Sequence, residues 1–242
     1  MLDNIVLSSA VMDVDFGIKG YSKLDFFGSD VYLTSSHICL LIVAVIVLVF
    51  AIAANITIRR ADPGKAPGGF LNVIEFIVSA VDNMVEGGMG IAHAASYTNY
   101  IGTLFIVLVL CNLSGLLGLR PATADYGSTF ALAMITFFMI HYAGFKYQKV
   151  SRVTNLFKPL ILSPINIIGE IATPISMSLR LFGNILSGTV MMGLIYGLIP
   201  WFLTIAWPGV LHIYFDIFSG CIQAYVFVML TMTFISQNFE TE

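Results

Sequence analysis

ILSPINIIGEIATPISMSLRLFGNILSGTVMMGLIYGLI, residues 161–199, is an apolar run of 39 residues that carries one basic side chain, Arg180. About 20 apolar residues cross the hydrocarbon core of a bilayer, so this run is nearly twice the length of a normal span. No turn dipeptide divides it, and Pro174 would kink a helix without ending it. Of the two possibilities, a hairpin of two helices or one long tilted helix, we favour the single helix.

Arg180 is the first candidate functional residue. A charge in the hydrocarbon interior costs roughly 2.5 kcal/mol or more, so such residues are rare and mark an ion path, a relay or a pairing site. A buried structural pair with Asp216 is the alternative reading of this arginine.

The composition indicates an all-α polytopic membrane protein. Of 242 residues, 58% are hydrophobic and 10% are charged, against about one quarter charged in soluble domains. The net charge of -3 without a basic cluster argues against nucleic acid as a partner. Cys39, Cys111 and Cys221 lie inside apolar segments without CxxC spacing and are predicted to be small buried residues. Five spans are expected, at residues 37–58, 97–119, 128–145, 161–199 and 209–235.

Basic residues predict the orientation of the spans. Arg59, Arg60 and Lys65 follow the first span, whereas the segment before it, residues 1–36, is acidic and lacks a signal-peptide pattern. By the positive-inside rule, residues 1–36 are an extracytoplasmic segment, residues 37–242 form one membrane domain, and the carboxyl terminus is cytoplasmic.

Residues 70–86 predict a different kind of helix. Polar side chains recur in steps of three and four and define one helical face: Asn72, Glu75, Ser79, Asp82, Asn83 and Glu86. With three acids and no base, this segment is expected to be an amphipathic helix at the cytoplasmic interface or against other subunits.

Polar residues inside the last two spans fall on both sides of Arg180. If Arg180 and Gln223 share a depth, Thr189 lies about 13 Å and Asp216 about 10 Å toward the outside, so these two are expected to face each other. Glu170 and Asn166 lie about 15 and 21 Å toward the cytoplasm. Titratable groups above and below a fixed cation suggest two separate half-pathways.

The segments PINIIGEIATPISMSLRLFGNILSG (164–188) and IQAYVFVMLTMTFIS (222–236) closely resemble the a subunit of F-type ATP synthases. The resemblance in layout extends over nearly the whole chain from about residue 30. It implies that Arg180 is the stator charge facing a rotating ring of c subunits. It further implies a b-type peripheral stalk and membrane lipid as partners, and a location in the bacterial plasma membrane.

The same resemblance assigns the remaining site residues. Asn184 and Gln223 match the polar neighbours of the arginine, and Ser176 matches its cytoplasmic-side neighbour. On the cytoplasmic path, Glu170 is present as in many bacterial members, and Asn166 stands where many have glutamate. The outside path departs further: the family usually has Glu or His at Thr189, and often His or Glu at Asp216. That path would rest on Asp216, with Thr189 as a neutral hydrogen-bonding partner and His212 one turn earlier.

The outside path has fewer titratable groups than the family usually has there. This fits either a water-filled path or a path for Na⁺, because hard cations favour oxygen ligands. The ion is therefore H⁺ or Na⁺. The chain has no GxxxxGKT-type loop, so we expect a non-catalytic subunit that binds no nucleotide, cofactor or metal. A free-standing channel or secondary transporter, with Arg180 as an anion site, is the alternative; the lack of internal repeats disfavours it. A purely structural membrane scaffold is a further alternative.

Overall fold

A computed structural model of the chain describes residues 20–26, 29–61, 68–117, 120–149, 163–198 and 207–239. Two short strands, β1 (Gly20–Phe26) and β2 (Ser29–Thr34), precede the helices and pair as an antiparallel hairpin. Phe26 lies opposite Ser29, and Gly20 lies opposite Thr34. The sequence did not predict this hairpin, which lies within the segment expected to be polar and extracytoplasmic.

Helices make up the rest of the described chain. The first four are α1 (Ser35–Arg60), α2 (Gly69–Met89), α3 (Ile91–Leu113) and α4 (Tyr126–Gln148). Two 3₁₀ turns, Ser114–Leu117 and Ala122–Ala124, connect α3 to α4. The last three are α5 (Ser163–Leu198), the short α6 (Trp207–His212) and α7 (Gly220–Ser236).

Five helical segments in the described part of the chain are long and apolar enough to cross a membrane. They are Ser35–Arg60, Ile91–Leu116, Tyr126–Gln148, Ser163–Ile195 and Gly209–Ser236. The all-α polytopic class is therefore confirmed. Large apolar side chains remain exposed along α1, with Leu41 65% and Leu48 60% exposed, as expected for a surface that meets lipid or another subunit.

The run that opened the sequence analysis forms one helix of 36 residues, so the hairpin alternative is wrong. Pro174 lies inside it, and because proline has no N–H, the carbonyl of residue 170 loses its intrahelical donor. The hydroxyl of Thr173 donates to the carbonyl of Gly169 in the same turn, at 3.0 Å.

The main core lies between α2, α3, α4, α5 and α7. Fully buried residues include Ile101, Leu181 and Phe227. The amphipathic helix α2 packs into this core through Val81, Val85 and Met89, and Ile74 of the same helix is also buried. Its predicted polar face is exposed at Asn72, Glu75, Ser79, Asn83 and Glu86.

A second, smaller cluster fixes α1 against the end of α3. Cys39 and Cys111 are buried there beside Val43 and Ala122, which confirms that these two cysteines are small core residues. Cys221, on α7, is half-buried.

The last crossing is not a regular α-helix. Between α6 and α7 the backbone forms a π-helical segment, Ile213–Ser219, that contains Asp216. The sequence predicted one continuous helix here. A π-helix has a wider turn than an α-helix, so it changes the direction in which side chains of this segment point.

Candidate functional site

Arg180 lies at the middle of α5, on a face that no part of the described chain covers. Met177, Ser178 and Leu181 are buried, whereas Leu179 and Arg180 are exposed. Residues three and four apart share a helical face, so a single helix presents one side to the core and the other, with Arg180, away from it.

Arg180 has no acidic partner among the described residues. Asp216 instead binds His212, with 2.8 Å between its Oδ2 and the imidazole Nδ1. Because Arg180 is exposed and Asp216 binds His212, the two do not form a buried pair in the described chain, and that reading of Arg180 is wrong.

The polar neighbours of Arg180 lie one turn away on either side. Ser176 is exposed one turn before it, and Asn184 is half-buried one turn after it. The hydroxyl of Ser219, in the π-helical segment, donates to Oδ1 of Asn184 at 2.7 Å. Sequence reasoning missed Ser219.

Gln223 lies on α7, and its amide nitrogen is buried without a hydrogen-bond partner in the described chain. A buried unsatisfied donor costs about 1–3 kcal/mol, so such a group requires an explanation.

The groups expected on the outside path are arranged differently from the sequence prediction. Thr189 is exposed, and its hydroxyl donates to the carbonyl of Ile185 on its own helix at 2.9 Å. No hydrogen bond joins Thr189 to Asp216 in the described chain, so the expected hydrogen-bonding partnership between them is not formed.

Asp216 is directed toward the end of α3 instead. Its Cγ lies 3.8 Å from the position that a Cβ on Gly115 would occupy, and it binds His212 within its own segment. The two segments nevertheless meet at the predicted depth, because the position that a Cβ on Gly188 would occupy lies 3.7 Å from Cβ of Phe215.

Glu170, on α5, pairs with a residue that the sequence analysis did not select. Its Oε2 lies 3.0 Å from Nε2 of His141 on α4. Both side chains line an open cleft of about 340 Å³ between the carboxyl ends of α4 and α7 and the first half of α5. Asn166, one turn before Glu170, is half-buried.

Charged groups therefore occupy three separate positions along α5 and its neighbours. Ten residues separate Glu170 from Arg180, about 15 Å along a helix. The Glu170–His141 pair lies toward the carboxyl end of α4, and the Asp216–His212 pair lies toward Gly115 at the other end of the bundle. Among the residues that the structure describes, no group of three His, Cys, Asp or Glu side chains is placed to hold a metal ion.

Comparison with known proteins identifies the family. The family model described as ATP synthase A chain matches residues 37–236, which is most of the chain. The chain belongs to this family. The resemblance carried by SLRLFGN and IQAYVF is thus confirmed over residues 37–236.

Curated relatives in the ATP synthase A chain family are similar to this chain in sequence, two of them over most of their length. ATP synthase subunit a of Staphylococcus saprophyticus is 33% identical over 88% of this chain and 93% of that protein. The protein of the same name from Mycobacterium ulcerans is 34% identical over 86% and 92%. "ATP synthase subunit a, sodium ion specific" from Propionigenium modestum is 38% identical over 57% of this chain and 53% of that protein.

Two polar residues of this family member could not be found from the sequence alone. His141 lies in the third span, and the sequence analysis examined polar residues only in the last two. Ser219 reaches Asn184 from a π-helical segment that no periodicity in the sequence signals. A lone histidine within the third span was the sequence signal for His141.

Proposed function

We propose that this chain is the stator subunit of the membrane sector of an F-type ATP synthase. It conducts H⁺ or Na⁺ through two offset half-channels, which Arg180 separates. The observation that carries the proposal is the exposed position of Arg180 at mid-helix, without an acidic partner in the described chain. An uncovered cation at this depth is costly, so its counter-charge belongs to another molecule.

The partner is a ring of c subunits that carries a membrane carboxylate. Guanidinium stays protonated under all physiological conditions, so it stabilises a ring carboxylate only in the ionised form. The face around Arg180 is suited to close approach, because Ala172 and Ser176 precede it at four-residue steps and are exposed and small.

A carboxylate can pass Arg180 only after it has lost its ion, and it must reload on the other side. Ion flow is thereby tied to movement of the ring. An uncharged side chain at position 180 would let the carboxylate pass while still loaded, and the coupling would be lost.

Separate polar groups serve the two half-channels. On the cytoplasmic path these are Glu170, Ser176 and Asn166. On the outside path they are Asp216, His212, Asn184, Gln223 and Thr189. The sides follow from the basic loops of the sequence, which place the amino terminus outside and the carboxyl terminus in the cytoplasm.

The chain catalyses no covalent reaction itself, and it binds neither nucleotide nor nucleic acid. It assembles with the c ring and a b-type peripheral stalk in the plasma membrane of a bacterium. The relative from Propionigenium modestum is sodium specific by name, whereas the names of the Staphylococcus and Mycobacterium proteins specify no ion.

The test is the replacement of Arg180 by alanine in the complete synthase, reconstituted in vesicles. We expect ATP synthesis driven by an ion gradient to be abolished while the complex still assembles, because an exposed side chain contributes little to folding. Arg180→Lys tests whether a permanent charge is required, since lysine can lose its proton in an apolar site.

Arg59→Ala is the matched control, because Arg59 is an exposed arginine at the end of α1 that binds Asn55 within its own helix. We expect this variant to retain synthesis. Coupled synthesis by the Arg180→Ala complex would refute the stator assignment.

A further inference from the structure

A polar cleft opens at the end of the bundle where α4 and α7 finish. His141 and Glu170 face each other across it, with 3.0 Å between Nε2 and Oε2. Their side chains are 26% and 28% exposed, so they are held by the protein and still reached by water. The remaining polar side chains of its lining are neutral: Gln148 from α4, Thr173 from α5, and Gln237 and Asn238 from the end of α7.

The hydrogen bonds of His141 locate a proton in this pair. Its Nδ1 lies 2.9 Å from the carbonyl oxygen of Phe137, and because a carbonyl can only accept, Nδ1 carries a hydrogen. The hydrogen bond between Nε2 and Glu170 then needs one further proton. Either imidazolium donates to a carboxylate, or a carboxylic acid donates to neutral imidazole.

Loss of that proton would leave two lone pairs opposed at hydrogen-bond distance. The pair is therefore built to hold one proton, which can lie on either group without a change in total charge. A sodium ion is a poor substitute, because hard cations take oxygen ligands and the imidazole nitrogen occupies the position beside the carboxylate.

We propose that His141 is a proton-exchanging residue of the cytoplasmic half-channel and that it acts with Glu170 as one unit. This inference rests on the proposed function and names the proton as the ion that this half-channel carries. One proton reaches the pair from the membrane interior, and one leaves it for water in the cleft. The pair returns to its starting charge after each transfer.

A structural role is the competing explanation, since the same contact joins α4 to α5. The two explanations differ in the response to pH. A proton-exchanging His141 makes ion flux depend on the pH of the side that the cleft faces, because the pair takes up and releases one proton in each transfer. A contact that only holds two helices together changes the amount of folded complex and leaves the pH profile unaltered.

The experiment uses the complete synthase in vesicles, with the pH varied on the side that the cleft faces. Proton uptake is followed with a pH-sensitive dye and sodium uptake with a radioactive tracer, in parallel. We expect His141→Gln to lower proton flux about tenfold, less than the roughly 100-fold or greater effect typical of a positioned acid or base, because water in the cleft replaces part of its role. We also expect the dependence of flux on the pH of that side to be lost.

The pair should behave as one unit. Adding His141→Gln to Glu170→Gln should therefore slow flux no further than Glu170→Gln alone. The exchanged pair, His141→Glu with Glu170→His, keeps one shared proton and should recover flux relative to His141→Gln. That variant provides the test even if the glutamine variant assembles poorly.

His93→Gln is the matched control, because His93 is another half-buried histidine that stacks on Phe239, with ring centroids 4.1 Å apart, and does not line the cleft. It should keep the pH profile of the unaltered protein. The inference is overturned if His141→Gln retains that profile, or if sodium carries the flux independently of pH. Neither result contradicts the proposed function, which coupled synthesis by the Arg180→Ala complex would refute.

Discussion

Asn112 connects three elements near the end of α3, and its removal has a calculable cost. The side chain is 2% exposed. Its amide nitrogen donates to the carbonyl of Gly220, the first residue of α7, at 2.9 Å. Its amide oxygen accepts a hydrogen bond from Thr123, in the turn before α4, also at 2.9 Å. Asn112→Ala breaks both hydrogen bonds.

Hydrogen bonds between helices in a membrane are worth about 0.6 kcal/mol on average and up to about 1.7 kcal/mol. Two such bonds give a loss of about 1.2 to 3.4 kcal/mol in the free energy of unfolding for Asn112→Ala. Thr123→Val keeps the shape of the side chain and breaks one bond, so it should lose about 0.6 to 1.7 kcal/mol. In the Asn112→Ala variant the hydrogen bond from Thr123 is already absent, so adding Thr123→Val should lower the free energy of unfolding little further.

The assay is a double-mutant cycle on the free energy of unfolding in lipid bicelles, measured by steric trapping. We expect the two substitutions to be coupled by about 0.6 to 1.7 kcal/mol. Thr231→Val is the control, because its buried hydroxyl bonds to the carbonyl of Phe227 on its own helix. It should show no coupling to Asn112. A coupling between Asn112 and Thr123 below about 0.3 kcal/mol would refute this reasoning.

Two further predictions concern helix packing and the outside half-channel. Gly102→Ala would place a methyl group 2.8 Å from Cγ1 of Val81 and should destabilise the fold by about 1–3 kcal/mol. In the double variant, Val81→Ala should recover part of this loss in the free energy of unfolding. If the losses of the two single variants simply add in the double variant, the close approach of α2 to α3 is contradicted. Asp216→Asn should slow ion exchange from the outside only, as measured with cysteine-reactive probes on each face. Equal loss of probe access on both faces would contradict the placement of Asp216 in the outside half-channel.

The sequence predicted the long helix and its unusual charge because both are properties of one continuous segment. An apolar run of 39 residues without a turn signal favours one helix, and an arginine inside it is evident without knowledge of its neighbours. The polar face of α2 was predictable for the same reason, since helical periodicity determines which residues share a face.

Contacts between helices were much less predictable. The sequence analysis compared depths only in the last two spans, so it missed His141, which meets Glu170 from the third. It also paired Asp216 with Thr189 on the assumption of two regular helices. The π-helical segment turns Asp216 toward Gly115 and brings Ser219 to Asn184, and such a segment leaves no periodic signal in the sequence.

The central claim is that Arg180 keeps two half-channels apart. Its most direct test is ion flux through the membrane sector when the c ring is cross-linked to this subunit and cannot turn. We predict no flux with Arg180 in place, because a carboxylate beside it cannot hold the ion. We predict measurable flux for Arg180→Ala, because the facing carboxylate can then load from one half-channel and unload into the other without rotation. Equal flux in the two proteins, or none in either, would contradict the claim.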